Sequence, residues 1–410
     1  MGYRIEVRDK ELNRIGEIDT WIQLDMVIQH CDQGSWKLLV KAGTPQADLL
    51  QQGGGVAVYQ DDVPTPILTG QIEDFQKYFT TVQHSSEGSI FVGGKTDNKL
   101  AYSRLAFVDP AKTVAQQYST ILDVRMVKAP ASRLIWDEVQ KSLGSGALVD
   151  RRAYGVNTGT APAFGPSKSD SLRYDVIGEK FAEWCSDKKT GWRFLWNPNT
   201  KTIDLDVYAP RDLSKSIRFS PELGNLREYI WTLSAPKVTR AIVACQGEGV
   251  DRYIYQKIDA AAEAEWGLQI EQFIDRRDLP LMTDQTNGQP MKAKPEVTDA
   301  EFEAAKEAVV QAAEEALKEG EKSGNFQLYP IDTEQIKFGR DYFVGDLVTV
   351  DVDGTERVDM VREVSITVDD GGKAVTVSPK VGEQGSGDPL NLYSTVFEMR
   401  KKLRKLEARM

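Results

Sequence analysis

The first eighty residues break into short alternating runs, each shut by turn residues, and this punctuation leaves room for little except a small β architecture. Tyr3, Ile5 and Val7 alternate with charged neighbours, and a longer run covers 21–28. After the turn residues Asp32, Gln33, Gly34 and Ser35, the run 36–40 pairs back. Gly53, Gly54 and Gly55 precede 56–59, and Asp61 and Asp62 turn the chain before 67–70. Strands this short, with turn signals at regular spacing, point to a β-barrel or sandwich.

Near Gly93 the pattern changes. Residues 99–105, 110–122 and 132–143 carry helical spacing, with Gly144 expected as a C-cap. Residues 149–169 are rich in Gly, Pro, Ser and Thr and read as an exposed loop. A further amphipathic helix is expected over 175–189 (Val176, Ile177, Phe181, Trp184, Cys185), followed by a hairpin of 191–196 and 203–208. The middle of the chain is therefore α+β.

Strand patterns return at 226–233, 239–246 and 252–256, and a helical insertion interrupts them. Thr298 and Glu301 form a capping box, and the helix they open runs to Gly320 with Phe302, Ala305, Val309, Ala312, Ala316 and Leu317 along one side. A meander follows over 342–350, 360–368 and 375–377, with turns at Asp353-Gly354 and at 369–372. A Gly-rich linker over 382–388 leads to the last segment.

That segment carries Leu392, Val396, Met399, Leu403, Leu406 and Met410, stepping by four and three in turn. This is the a/d spacing of a coiled coil, so the helix meets copies of itself or folds back onto its own domain. Val396 among leucines and methionines does not choose dimer over trimer. The helix is also basic (Arg400, Lys401, Lys402, Arg404, Lys405, Arg409), which makes a membrane surface a competing partner. Against that reading, the stripe is narrow and has no aromatic residue after Phe397.

With 410 residues, two to four domains are expected. The formal net charge of −11 argues against a surface that neutralises phosphates, but not against one past which DNA slides without sticking. No apolar run approaches the ~20 residues that span a bilayer. The charged start is not a signal peptide, and Glu6 rules out the myristoylation pattern. Cys31, Cys185 and Cys245 are far apart, odd in number and without a CxxC pair, so buried reduced thiols made in a reducing cytoplasm are expected.

Catalytic patterns are weak. His30 beside Cys31 on a strand would point to the opposite face, and His84 lies in a polar turn, so no metal site is expected. The run 88–96 resembles a phosphate loop, but Gly88 is one residue out of register. Glu271, Asp275 and Asp278 could serve a glycan hydrolase, although Arg276 and Arg277 make a salt-bridged corner the simpler reading. Trp192 and Trp196 share a strand face and could form a sugar platform, but packing the hairpin on a helix requires the same spacing.

Several runs, taken in order, resemble a known family. They are Gly34-Ser35-Trp36-Lys37-Leu38, Gly53-Gly54-Gly55-Val56, Leu105 to Pro110, Phe219 to Leu226, Gly247-Glu248-Gly249, Ile270 to Asp278 and Gly345 to Val350. Together they resemble the hub-like, tail-associated tail-tip or minor tail proteins of long-tailed siphophages, related to the baseplate hub of contractile-tailed phages. The resemblance implies an α+β multidomain chain. Residues 1–95 would form one β-barrel-like ring domain and 96–235 an α+β outer domain. Residues 236–385 would form a second β-barrel-like ring domain with a helical insertion at 262–323, followed by a linker and coiled-coil helix at 386–410. It also implies a homotrimer forming a pseudo-sixfold ring, with the heptad positions Leu392, Val396, Met399, Leu403, Leu406 and Met410 at the oligomer interface. The implied partners are a distal tail protein above, a tape-measure protein, and tip or receptor-binding proteins. Genomic DNA would pass through the lumen without specific binding. No enzyme activity, cofactor, metal or catalytic residue is implied, and the protein would be assembled in the host cytoplasm and reside in the virion tail tip.

Overall fold

A computed structural model describes residues 2–60, 63–78, 88–119, 124–330, 336–352, 354–369 and 374–382. The heptad positions from Leu392 to Met410 lie outside these residues. The chain forms two compact units, the first built from Met1–Tyr229 with Gln327–Gly382 and the second on Ile230–Phe326. This division is coarser than the four-part reading of the sequence.

The first unit opens with β1 (Tyr3–Arg8), β2 (Arg14–Ile18), β3 (Gln23–Gln29), β4 (Ser35–Lys41), α1 (Pro45–Asp48), β5 (Gly55–Gln60), β6 (Leu68–Gln71), β7 (Asp74–Tyr78) and β8 (Ser89–Lys95). Four of them make an antiparallel sheet in the order β2-β1-β5-β6. β5 is buried at every position, because it is an inner strand covered on both faces. β3 and β4 instead alternate, with Leu24, Met26 and Ile28 and then Trp36, Leu38 and Val40 turned to the core.

The α+β part follows with α2 (Lys99–Tyr102), β9 (Arg125–Pro130), α3 (Ala131–Ser142), β10 (Val156–Asn157), β11 (Ser167–Leu172), α4 (Ile177–Trp184), β12 (Gly191–Asn197), β13 (Thr202–Tyr208) and β14 (Arg218–Phe219). Of the three helices, α3 and α4 pack on the β12–β13 hairpin through Leu134, Ile135, Phe181, Trp184, Trp192 and Phe194. Three local expectations are corrected. The helix expected at 110–122 is a short 3-10 turn over Val114–Ser119. Leu143, not Gly144, caps α3. The end of the expected loop 149–169 is strand β11, because Ser167 to Leu172 pair antiparallel with Pro130 to Arg125. Pairing with a partner strand supplies what local composition does not.

The chain leaves the first unit within β15 (Leu226–Ser234) and returns within β21 (Ser323–Pro330). Between them lie β16 (Arg240–Ala244), β17 (Ile254–Ile258), α5 (Ala260–Trp266), β18 (Glu271–Asp275), β19 (Leu281–Thr283), β20 (Pro290–Lys292) and α6 (Asp299–Glu319). The stretch expected as a helical insertion thus also carries three short strands between its two helices. β16 is central, antiparallel to β17 and parallel to β18. α6 lays Ala305, Val309, Ala312, Ala313 and Ala316 against Ala241, Val243 and Cys245. Its small residues let the helix approach the sheet closely. The capping box forms in full: the Thr298 hydroxyl accepts from Glu301 N at 3.2 Å, and Thr298 N donates to Glu301 Oε2 at 2.9 Å. Thr298→Ala is expected to destabilise the second unit by about 1 kcal/mol, read as a lower urea midpoint with an unchanged slope. No change would mean that water caps the helix equally well.

Back in the first unit come β22 (Leu347–Val352), β23 (Thr355–Asp369) and β24 (Ala374–Gly382). The first half of β23 pairs with β22, and its second half lies between β24 and β3. A register shift between Val361 and Glu363 bends the strand from one partner set to the other. Through β3 and β23, residues near both ends of the described chain share one sheet. Neither large sheet closes on itself among the described residues, so the expected barrels are open sheets. Closure would require edge strands to meet, and the strand orders end in open edges instead.

Candidate assembly sheet

Within the first unit, β24, β23, β3, β4, β8 and β7 lie side by side in that order, all antiparallel. Cross-strand partners point to the same face, so the register reads out both faces. One face has the row Val375, Val368, Leu24, Leu38, Val92 and Phe75. Four of these are buried, yet Phe75 at the end of the row is 50 % exposed. The other face has the row Thr376, Thr367, Asp25, Lys37, Gly93 and Asp74. Its neighbouring rows mix Ser365, Ser378, Ser35, Gln23 and Gln76 with Val27, Leu39 and Phe91. Its charges balance, with Asp25, Asp74, Glu363 and Asp369 against Lys37, Lys41, Lys95 and Lys380. Glu363 and Lys380 pair at 2.5 Å, and Gln29 donates to Glu363 at 2.8 Å.

β7 ends this sheet. Every one of its five residues is exposed, and among the described residues no strand pairs with its outer edge. Phe75 leaves the apolar row open there, and Tyr78, 56 % exposed, stands at the corresponding edge of the polar face. Edge strands are ordinarily short, charged or covered, because their unpaired N–H and C=O groups recruit further strands. Lys77 is the one basic residue in β7.

Behind the sheet, three residues after β8 tie the unit together. The Thr96 hydroxyl accepts from Gly34 N in the β3–β4 turn at 3.0 Å. Asp97 accepts from Arg8 Nη2 of β1 and from the Thr69 hydroxyl of β6, each at 2.6 Å. Thr69 Oγ1 in turn accepts from Trp196 N of β12 at 3.1 Å. Asn98 accepts from Phe194 N and donates to Asp32 O, each at 2.8 Å. At this joint Gly70 bridges Thr96. A Cβ on Gly70 would stand 2.5 Å from both Lys95 O and Trp36 Nε1, so only glycine lets the two sheets approach.

A sequence profile of the siphovirus ReqiPepy6 Gp37-like protein family matches residues 4–383, nearly the whole described chain. The chain belongs to that family. No curated protein matches it. Two solved structures share the fold of this Gp37-like chain at low identity. One is the 43 kDa tail protein of prophage MuSo2 from Shewanella oneidensis, with a TM-score of 0.52 and 12 % identity, covering 92 % of this chain and 97 % of that one. The other is the tail protein from Neisseria meningitidis, with a TM-score of 0.51 and 12 % identity, covering 94 % and 98 %.

The sites weighed from the sequence distribute as follows in the Gp37-like chain. Trp192 and Trp196 are both buried, so they are core and present no sugar platform. Arg276 grips both Asp278 oxygens, and Arg252 and Arg277 pair with Asp275. The hydrogen bonds from Arg276 hold the Asp278 carboxyl below its ordinary range, the wrong state for a general acid. Glu271 lies exposed on β18. The run resembling a phosphate loop is β8 itself, with its backbone committed to β4 and β7.

His30 and Cys31 need a correction. β3 ends at Gln29, and Cys31 takes a left-handed backbone with φ 55°, so the two side chains meet at 3.3 Å instead of pointing apart. Tyr208 contacts His30 Nδ1 at 3.1 Å, and the Cys31 and Cys185 thiols hydrogen-bond each other. Burial opposes ionisation of Cys31, but Cys185 and the His30 imidazole outweigh it and hold that thiol below its ordinary range. The hydrogen bond to Cys31, with burial, pushes Cys185 up. All three cysteines are free and buried, so no substrate reaches these thiols. Among the described residues no His, Cys, Asp and Glu group is arranged to hold a metal, and no helix is long and apolar enough to cross a membrane.

The β7 edge and the joint at Asp97 escaped the sequence reading. Phe75 and Tyr78 sit in a run too short and mixed to stand out, and a buried aspartate looks like any other in sequence.

Proposed function

We propose that this chain is a structural component of a phage tail, a homotrimeric hub at the tail tip that closes the tube and joins it to the host-contacting tip. The observation that carries this reading is the apolar row left open at β7, where Phe75 ends a run of buried residues on an edge that is unpaired among the described residues. A strand from another subunit would continue both the hydrogen bonding and the row. The charge-balanced polar face supports a second part of the reading. Turned to a lumen, it would let DNA pass without the counterion release that makes basic surfaces adhere. Membership of a siphovirus family, and a fold shared with two proteins described as tail proteins, support a place in the virion.

In this reading, residues 1–95 and the β parts of 236–385 are the ring domains, joined by the β3–β23 pairing, and 96–235 lies outside. The count of three rests on the family resemblance. The heptad Leu392, Val396, Met399, Leu403, Leu406 and Met410 pins the C-termini on the axis. The partners are a distal tail protein above, a tape-measure protein, and tip or receptor-binding proteins.

The test is the mass in solution by light scattering. Wild type is expected at three chain masses, and Phe75→Glu with Tyr78→Glu at one, with an unchanged circular dichroism spectrum. Deleting residues 392–410 is expected to weaken the trimer without unfolding the protomer. Monomers of wild type at high concentration, or intact trimers of the double variant, would remove the edge from the assembly.

A further inference from the structure

A cavity of about 360 Å³ lies in the first unit beside the Asp97 joint, where the β1–β2 turn meets α2 and the chain around Arg152. Leu12, Leu100 and Ile203 give it apolar wall, and Arg8, Arg104 and Arg152 also line it. Lys10 and Lys99 also line it, as do three carboxylates, Asp9, Glu73 and Asp97.

Two of the three carboxylates are paired with cations inside the protein, and the third, Asp9, is hydrogen-bonded to Asn13 and keeps its charge. Asp9 accepts from both the backbone and side-chain nitrogens of Asn13, at 2.8 and 2.9 Å. Glu73 accepts from Lys99 at 2.7 Å. Asp97 holds Arg8 and Thr69. The cations are not equally spent. Arg104 and Arg152 reach backbone carbonyls, and neither has a carboxylate partner among the described residues. Arg8, by contrast, is spent on Asp97 at 2.6 Å and its side chain is only 3 % exposed, so it forms wall and not a ligand donor. Gly55 makes room for this guanidinium, since a Cβ there would lie 2.4 Å from Arg8 Nε. In a chain acidic as a whole, Arg104 and Arg152 make a local pair of guanidinium groups with no carboxylate partner among the described residues.

We propose that this cavity binds an organic carboxylate, a group with two acceptor oxygens on a short apolar body. The guanidinium forks match the carboxylate, and Leu12, Leu100 and Ile203 take the body. The carboxylate can come from a free small acid or from an acidic residue of a partner polypeptide, which offer the same chemistry. The site is independent of the assembly edge and stands whether or not the chain trimerises.

Calorimetric titration of the full chain tests it with three probes: hexanoate, a capped peptide with one glutamate between leucines, and inorganic phosphate. Binding of hexanoate or the peptide is expected, weakened by salt and reduced at least about tenfold in Arg104→Gln with Arg152→Gln. Arg152 is exposed and Arg104 half-buried, and unchanged thermal unfolding of the variant confirms that the fold survives. Tighter peptide than hexanoate binding assigns the source to a polypeptide, and equal binding assigns it to a free acid. Binding of neither carboxylate, binding unchanged in the double variant, or phosphate binding tighter than both would overturn the proposal.

Discussion

Replacing Asp97 with alanine is expected to cost the first unit ~3–5 kcal/mol, the loss that follows when one partner of a buried ion pair is removed. Both side chains of the Arg8–Asp97 pair are 3 % exposed, so water cannot take the place of the missing carboxylate. The damage spreads past the pair. Thr69 loses the acceptor for its hydroxyl, and Thr69 also receives Trp196 N, so the contact between β6 and β12 loosens as well. Urea unfolding followed by near-ultraviolet circular dichroism measures the loss. Adding Arg8→Met to the alanine variant is expected to recover part of it, because no uncompensated charge then remains buried. A loss below about 1 kcal/mol would place the pair among solvated surface bridges and defeat the account of the joint.

Trp192→Ala is the second large effect, at ~3–5 kcal/mol. Trp192 is fully buried and makes edge-to-face contacts with Phe181 at 5.3 Å and Phe194 at 6.0 Å between ring centroids. Alanine opens a cavity that strands and helices on several sides cannot all collapse to fill. Its indole N–H has no hydrogen-bond partner among the described residues. Phenylalanine in its place therefore keeps most of the packing and abandons no hydrogen bond, with an expected loss below ~1.5 kcal/mol. Thermal unfolding of both variants separates the cases. An alanine variant as stable as wild type would mean that the ring is not core.

Features that depend on near neighbours were legible in the sequence. The Thr298–Glu301 box is complete within four residues, and the β12–β13 hairpin announces itself through alternation on either side of Asn197 to Thr200. The strand pairing of β9 with β11 was not legible, since Ser, Lys and Asp dominate β11 and only β9 beside it makes it extended. His30 and Cys31 failed for a similar reason. The alternation rule holds along a strand, and nothing local says that β3 stops one residue earlier. Charged residues were the least legible of all. Asp97 and Asp278 are the same residue type, but one is buried in a joint between sheets and the other is gripped by its near neighbour at the surface.

The pairing of β3 with the second half of β23 joins Gln29 to Glu363. During synthesis that edge of β3 must wait while more than three hundred further residues are added, on the order of tens of seconds at ordinary elongation rates. Contacts at such sequence separation also carry a large loop-closure cost before they return anything, which makes them slow to form. The sheet is therefore the last part of the first unit to be completed. Through the same interval β3 presents an unsatisfied edge with Leu24, Met26 and Ile28 beside it, the kind of surface that chaperones hold and that aggregation exploits.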